Sequence, residues 1–432
     1  MEDKGVKTLL SRLQSLSEPI KVAIIGTGST GKGIFYQTHI TPGIECVAIA
    51  DIDVNKAIEC ADFMHRDYTL VETAAALDET INRGRLAVCS NGELICQSQL
   101  IQVLVEASSS IVKGGQFARH SLESGKIVAM MNAEADLIFG PALMKIAERN
   151  NVVYTSCDGD QHTCLRRLIG DIQMFGFQLV MAGNIKGFLD RYSNPTAIIP
   201  EADKRNLDYQ MCASYTDGSK LCIEMALIAN GFGLLTPIPG MYGPKCKHVM
   251  DALNAYDLES LWQDHKPFVD YILGAEPKGG VFVIGYTESK YQQFMLDWFP
   301  VELGKGPFRL FYRPYHLIHF EALRTVAEAS LDGTSLLKPA HGFVTNVYAY
   351  AKKDLPKGTL LDGIGGYAFY GLIENCVDNQ TRPGLPICLG ENVILKRDVK
   401  KDTKIYMEDL EALPNPKHYE MYYEIAGMPS LA

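Results

Sequence analysis

The sequence predicts an α/β fold with a doubly wound parallel sheet in its N-terminal third, and three observations predict it. Short apolar runs at residues 21–25, 46–50, 86–89 and 127–130 alternate with stretches of helical spacing. These runs do not alternate polar and apolar residues, as expected of strands buried on both faces. A glycine-rich turn, Gly26-Thr-Gly28-Ser-Thr-Gly31, follows the first run directly and opens a helix.

Length and texture extend this to three domains. A chain of 432 residues exceeds one compact core. Residues 1–155 carry the strand–helix alternation. Residues 156–335 mix strands and helices: 221–230 reads as a helix after the turn Asp217-Gly218, 279–285 as a strand, and the Pro- and Gly-rich 236–244 as a structured loop. Residues 336–432 show no long helical pattern. They contain a weak repeat, Lys353-Asp-Leu-Pro-Lys-Gly-Thr359 and Arg397-Asp-Val-Lys-Lys-Asp-Thr403, which predicts a small β-rich domain around two similar turns.

Composition narrows the function classes. With 47% hydrophobic and 21% charged residues the chain has a globular balance. A formal net charge of −10 argues against a nucleic-acid surface, and the partner expected is a small molecule. No stretch reaches eighteen uninterrupted apolar residues, and 8–16 is too polar for a signal-peptide core, so no membrane association is expected. Eleven cysteines without CxxC or zinc-ligand spacing predict free thiols in a reducing cytoplasm.

The glycine turn carries the chemistry. Gly26 permits the tight turn, Gly28 lets the backbone approach a diphosphate, and Gly31 lets the helix pack on the strand. Thr27, Ser29 and Thr30 complete a loop whose free N–H groups face the ligand at a helix start. Twenty residues past Gly31 a second strand ends at Asp51, placed to accept hydrogen bonds from a ribose. The cofactor is therefore NAD or NADP bound to a Rossmann domain. Asp51, followed by Ile52-Asp53 and no Arg, favours NAD, because a carboxylate repels a 2′-phosphate. Asn132 and Glu134 follow the run 127–130 at the sheet's carboxyl edge. They read either as contacts to the nicotinamide or substrate, or as a helix N-cap with acids in its first turn.

Other residues are candidates for the chemistry. Asp160, in Cys157-Asp-Gly-Asp160, suits substrate hydroxyls or a metal, and equally a turn. Glu224 flanks the apolar stretch 225–229, which predicts burial and a cationic partner. Asp190, beside Arg191, could orient substrate, and Arg313 could bind an anionic tail. His316 and His319 would share a face if they lay on one helix. A divalent metal is left open.

Together, Gly26 to Gly31, Ala50-Asp51-Ile-Asp53, the stretch from Gly125 to Asn132, and Thr155 to Asp160 resemble the homoserine dehydrogenase-like family. The similarity runs on through Gly183-Asn-Ile-Lys186, Asp217-Gly-Ser-Lys220, Pro239 to Pro244, Ile364-Gly-Gly-Tyr367 and Leu395-Lys-Arg-Asp398. Most similar is a subgroup with a C-terminal SAF domain that includes deoxyxylulose phosphate reductoisomerase-like enzymes. The resemblance implies a Rossmann domain, a central substrate and dimerisation domain and a SAF-like end. It also implies hydride transfer between a nicotinamide and a small hydroxy or oxo substrate, by a homodimer or higher homo-oligomer. In such enzymes a Lys moves the proton, which implies Lys186 or Lys220 here. The chain departs from the reductoisomerase-like pattern at Gly183-Asn-Ile-Lys186, where a Lys-rich stretch is expected. It departs again at Gln161-His162, where an acid and a Pro are expected. Fewer cations weigh against a phosphorylated substrate. The alternatives are a reductoisomerase of isoprenoid precursor synthesis and a non-catalytic NAD-binding regulator.

Overall fold

A computed structural model describes residues 7–427 apart from Asn206 and Gln380. Residues 1–6 and 428–432, the outer ends of the first and last predicted domains, lie outside the described residues. The chain divides into two compact units. One holds the residues up to Asp160 together with Leu317–Lys338. The other holds Gln161–His316 and the residues from Pro339 onward.

The first unit is built on seven strands: β1 (Ile20–Ile25), β2 (Ile44–Ala50), β3 (Tyr68–Leu70), β4 (Leu86–Cys89), β5 (Val103–Glu106), β6 (Ile127–Met130) and β7 (Tyr154–Ser156). Their order is β3-β4-β2-β1-β5-β6-β7 and every pairing is parallel. This is the Rossmann-like doubly wound class that the apolar runs predict. Period-two alternation splits β1 between two layers. Val22 and Ile24 join a core with Ile34 and Phe35 of the helix Ser29–Ile40, and with Leu323 and Val326 of the helix Ile318–Asp332. Ile25 packs instead beside Gly92 and the Phe117 ring of the helix Ile111–Glu123.

The helix Ile318–Asp332 joins the first unit late in the sequence. Its entry is tight: at Gly33 a Cβ would stand 2.5 Å from the His319 ring, so only glycine lets the two helices approach. Arg12 clamps its far end through both oxygens of Asp332 (2.6 and 3.1 Å). Because this helix starts at Ile318, His316 precedes it, and the two histidines do not share a helix face.

The second unit opens on a four-stranded sheet, ordered β11-β10-β8-β9, from β8 (Gln178–Lys186), β9 (Phe268–Leu273), β10 (Val281–Tyr286) and β11 (Phe308–Arg313). Met181 and Ile185 of β8 join an apolar cluster with Phe282, Val249, Tyr256 and Trp262. The helices Gln161–Met174 and Ser219–Phe232 also pack on β8. Buried Asp270 of β9 holds the 236–244 loop by accepting from the N–H groups of Tyr242 and Gly243 (both 2.9 Å) and from the Tyr256 hydroxyl (3.1 Å). Burial pushes its carboxyl up to about 6, against these donors.

The C-terminal segment carries β12 (Thr345–Ala351) paired antiparallel with β14 (Phe369–Asn375), and β13 (Leu360–Asp362) with β15 (Glu391–Ile394). The two repeat turns are structural equivalents that pair with each other. Leu355 and Val399 exchange both backbone hydrogen bonds at 2.8 Å. The Asp398 carboxylate accepts from the Lys357 N–H (2.7 Å), and the Asp354 carboxylate accepts from the Lys401 N–H (2.9 Å). Each copy closes with a Thr hydroxyl, Thr359 or Thr403, donating three residues back.

One buried ion pair ties this segment to the helices before it. Lys352 Nζ lies 2.9 Å from Asp217 Oδ2 and donates to the carbonyls of Ser193 (2.6 Å) and Gly366 (2.7 Å). Desolvation pushes the Asp217 carboxyl up, and Lys352 and Ser219 oppose it. Lys352→Met is expected to destabilise the protein by about 3–5 kcal/mol, because it strands Asp217 uncompensated in the core. Urea unfolding should show a lower midpoint, and an unshifted midpoint would refute this account of the pair.

Candidate functional site

Strand order reverses at β1, whose neighbours are β2 on one side and β5 on the other, so a crevice opens at their carboxyl ends. The glycine turn lines it. Gly26 has φ +92°, and a Cβ there would stand 2.5–2.6 Å from the backbone of Ala107 and Ser108 just past β5. A Cβ on Gly31 would fall 1.8 Å from the Gly26 carbonyl oxygen. Gly28 is the opposite case. It caps the helix Ser29–Ile40 without a side chain, and a Cβ there would meet nothing within 4 Å. Two glycines thus close the turn on itself, while the third keeps open space over a helix start. Thr27 is buried, and Gly28 and Ser29 are exposed with Thr30 between those extremes. The residues fit the diphosphate of a dinucleotide.

Asp51 stands where the spacing places it, one residue beyond β2. Its Oδ2 accepts from the Thr27 N–H (2.8 Å) and hydroxyl (3.2 Å), and its Oδ1 from the Asp53 N–H (3.0 Å). The carboxylate therefore pins the glycine turn and is half-buried rather than sealed. Asp53 caps the next helix by accepting from the Asn55 N–H (3.2 Å).

Asn132 and Glu134 begin the helix Ala133–Asn150. Asn132 is buried; its Oδ1 accepts from the Ala135 N–H and its Nδ2 donates to the Ser110 carbonyl, both at 3.0 Å. Glu134 is half-buried in the first turn. Asp136, also in that turn, accepts from the hydroxyls of Tyr154 (2.5 Å) and Ser156 (2.6 Å) and so anchors β7. Asp160 is buried at the end of the first unit's long segment, just past Gly159, whose Cβ would meet the Ile318 carbonyl at 2.2 Å.

Sequence reasoning misses Glu106. It ends β5 at the crevice and is fully buried. Oε1 accepts from the Ser108 N–H (3.1 Å). Burial pushes its carboxyl up to about 7, with hydrogen bonds from Ser108 and Asn132 opposing. An acid closing the apolar run Val-Leu-Val was the available signal.

In the second unit Lys186 and Arg313 close two strands that end at the same edge of the sheet, and Lys220 and Glu224 lie in the first turns of a helix. Lys186 is the last residue of β8, and its Nζ donates to the Tyr215 carbonyl at 2.6 Å. Half-buried Lys220 and buried Glu224 lie one turn apart on the helix Ser219–Phe232. Arg313 closes β11, with Nη1 3.2 Å from Cys164 Sγ and its guanidinium 4.5 Å from the Tyr315 ring centre. Exposed Asp190 organises a turn: its Oδ1 accepts from the Tyr192 N–H (3.0 Å), and its own N–H donates to Thr216 (2.9 Å). Asn184, Gln161 and His316 form a connected amide chain in this unit that spacing does not predict.

None of the eleven cysteines forms a disulfide and ten are buried, with desolvation raising thiols such as Cys46 and Cys157 well above their usual range. Among the described residues no helix is long and apolar enough to cross a membrane.

Residues 159–322 match the family model described as oxidoreductase DRL, catalytic domain, which is less than half of the chain. The match is to an oxidoreductase domain. No curated protein matches the chain by sequence. Solved structures with a similar course include myo-inositol 2-dehydrogenase from Lactobacillus plantarum, at 13% identity and TM-score 0.40 over 74% of this chain and 91% of that one. GenD2 from gentamicin A biosynthesis, in complex with NAD, is 14% identical with TM-score 0.38 over 75% and 90% of the two chains. A DOX-P reductoisomerase with magnesium is 14% identical with TM-score 0.37 over 72% and 79%. Likeness this remote decides neither activity nor substrate.

Proposed function

We propose that this protein is a nicotinamide-dependent dehydrogenase that moves hydride between NAD and a small hydroxy or oxo substrate. The observation that carries the reading is the contrast within one turn. Gly31 seals against Gly26, whereas Gly28 leaves open space at a helix start beside Asp51. Backbone N–H groups at that start hold the diphosphate, and the dipole end favours its charge. The bound cofactor supplies hydride chemistry. Asp51 accepts from the adenosine ribose and disfavours a 2′-phosphate, which supports NAD over NADP.

The chain's own part in the reaction is proton handling and orientation. Lys186, fixed by the Tyr215 carbonyl, presents its ammonium group at the end of β8 and gives or takes the proton at the substrate oxygen. Lys220 and buried Glu224 are the next groups in line for this work, with Asp160 and Arg313 as substrate contacts. The matched oxidoreductase domain spans all of these residues. A homodimer or higher homo-oligomer in the cytoplasm is the setting we propose, as the family resemblance implies.

Two substitutions test the reading. Asp51→Ala is expected to erase the preference for NADH over NADPH in a fluorescence titration. Lys186→Met is expected to slow steady-state turnover on the order of 100-fold or more with NADH affinity unchanged. Full turnover in Lys186→Met would remove that lysine from the chemistry.

A further inference from the structure

We infer that Asn184 reads the ligand of the second unit, and that the group it takes is a hydroxyl. The ligand class rests on the dehydrogenase reading above; the role of Asn184 rests on its surroundings.

Asn184 lies near the carboxyl end of β8 and is fully buried. Its Nδ2 donates to Gln161 Oε1 at the start of the helix Gln161–Met174. Gln161 Nε2 in turn meets His316 Nε2 at 3.3 Å. With Gln161 donating in this contact, His316 accepts at Nε2. The chain of donors runs one way, from Asn184 to Gln161 to His316. That direction leaves Asn184 Oδ1 as an acceptor, and it has no partner among the described residues. Turning Asn184 over alone would set its oxygen against Gln161 Oε1, acceptor facing acceptor; turning both amides over together would present Nδ2 instead, and a hydroxyl, which accepts as well as donates, meets either end.

An amide with an unmet acceptor weakens a folded core. Such a residue belongs where a ligand completes it. The neighbouring groups define that ligand. Lys186 lies two residues along the same strand and therefore on the same face, and it offers only donors. Arg313, at the end of β11, likewise only donates. Oxo and carboxylate oxygens suit these cations. They do not suit Asn184 Oδ1, which needs a hydrogen from the ligand. The group that supplies one is a hydroxyl, so the substrate is a small compound with at least one free hydroxyl beside the reacting carbon. Gln161 and His316 are positioning residues that fix which end of the amide faces it.

The test joins stability to kinetics on the full chain. Wild type, Asn184→Leu and Asn184→Asp are melted without ligand, then assayed for NADH formation from NAD with glycerol, erythritol, ribitol, myo-inositol, glycerate and gluconate. At least one of these should be oxidised by wild type. Asn184→Leu removes the unmet acceptor but leaves Gln161 Oε1 without its donor, so it should melt within about 4 °C of wild type, and it should lose on the order of 100-fold or more in kcat/KM. Asn184→Asp, which keeps an acceptor oxygen, should retain more activity than Asn184→Leu. A fall in melting temperature of more than about 4 °C in Asn184→Leu would show a structural residue and overturn the inference. So would undiminished kcat/KM in Asn184→Leu, or Asn184→Asp as inactive as Asn184→Leu. NADH binding with no oxidation of any compound would overturn the hydroxyl assignment alone. Absence of NADH binding would strike the dehydrogenase reading, while the melting comparison would still judge Asn184.

Discussion

Gly28→Ala is expected to leave the fold intact and to abolish useful binding of the nicotinamide dinucleotide. Gly28 has φ −63° and ψ −169°, which alanine adopts without strain, and the added methyl would touch nothing within 4 Å. The melting temperature should therefore stay within about 2 °C of wild type. The same methyl fills the space the diphosphate needs, so NADH affinity should fall on the order of 100-fold, near 2.7 kcal/mol. Gly31→Ala provides the contrast. Its methyl would fall 1.8 Å from the Gly26 carbonyl oxygen, so the helix start must move and stability must drop with affinity. If Gly28→Ala bound NADH as wild type does, the open space over this turn would not be the cofactor's.

The second large effect concerns Glu106 and is read as stability against pH. Burial raises its carboxyl from an ordinary value of 4.5 to about 7. Between these values the folded chain keeps a proton that the unfolded chain has released. The stabilisation is thus fully present below about pH 4 and is lost as pH rises through about 7, a swing of roughly 3 kcal/mol. Glu106→Gln cannot titrate and keeps a neutral amide of the same shape. Its unfolding free energy should fall less steeply between pH 4.5 and 7, and above pH 7 it should exceed that of wild type. Denaturant unfolding at several pH values measures both. Equal slopes for the two proteins would mean that Glu106 is not protonated in the native state.

The parts of the protein legible in its sequence are those set by local spacing. The glycine turn, its strand and Asp51 keep fixed intervals, and each glycine has one geometric task that the structure displays. The end-domain repeat is legible too, because Asp354 and Asp398 do the same work in equivalent turns. What escapes is set by distant packing. Nothing near residue 318 announces that its helix joins the first unit, since the cause is the close approach of His319 to Gly33. The Asn184–Gln161–His316 chain joins positions that no periodicity relates. Glu106 escapes because a lone acid after Val-Leu-Val reads as a strand end, and only burial reveals its raised pKa. Asp190 and Asn132 show the converse: residue types suited to a site whose visible hydrogen bonds serve a turn and a helix cap.

Calorimetric titration of the full chain with NADH and with NADPH decides whether the glycine turn holds a dinucleotide. Saturable heat is expected from one site per chain, tighter for NADH than for NADPH, and lost in Gly28→Ala. No heat from either coenzyme, reduced or oxidised, would show that the turn holds none.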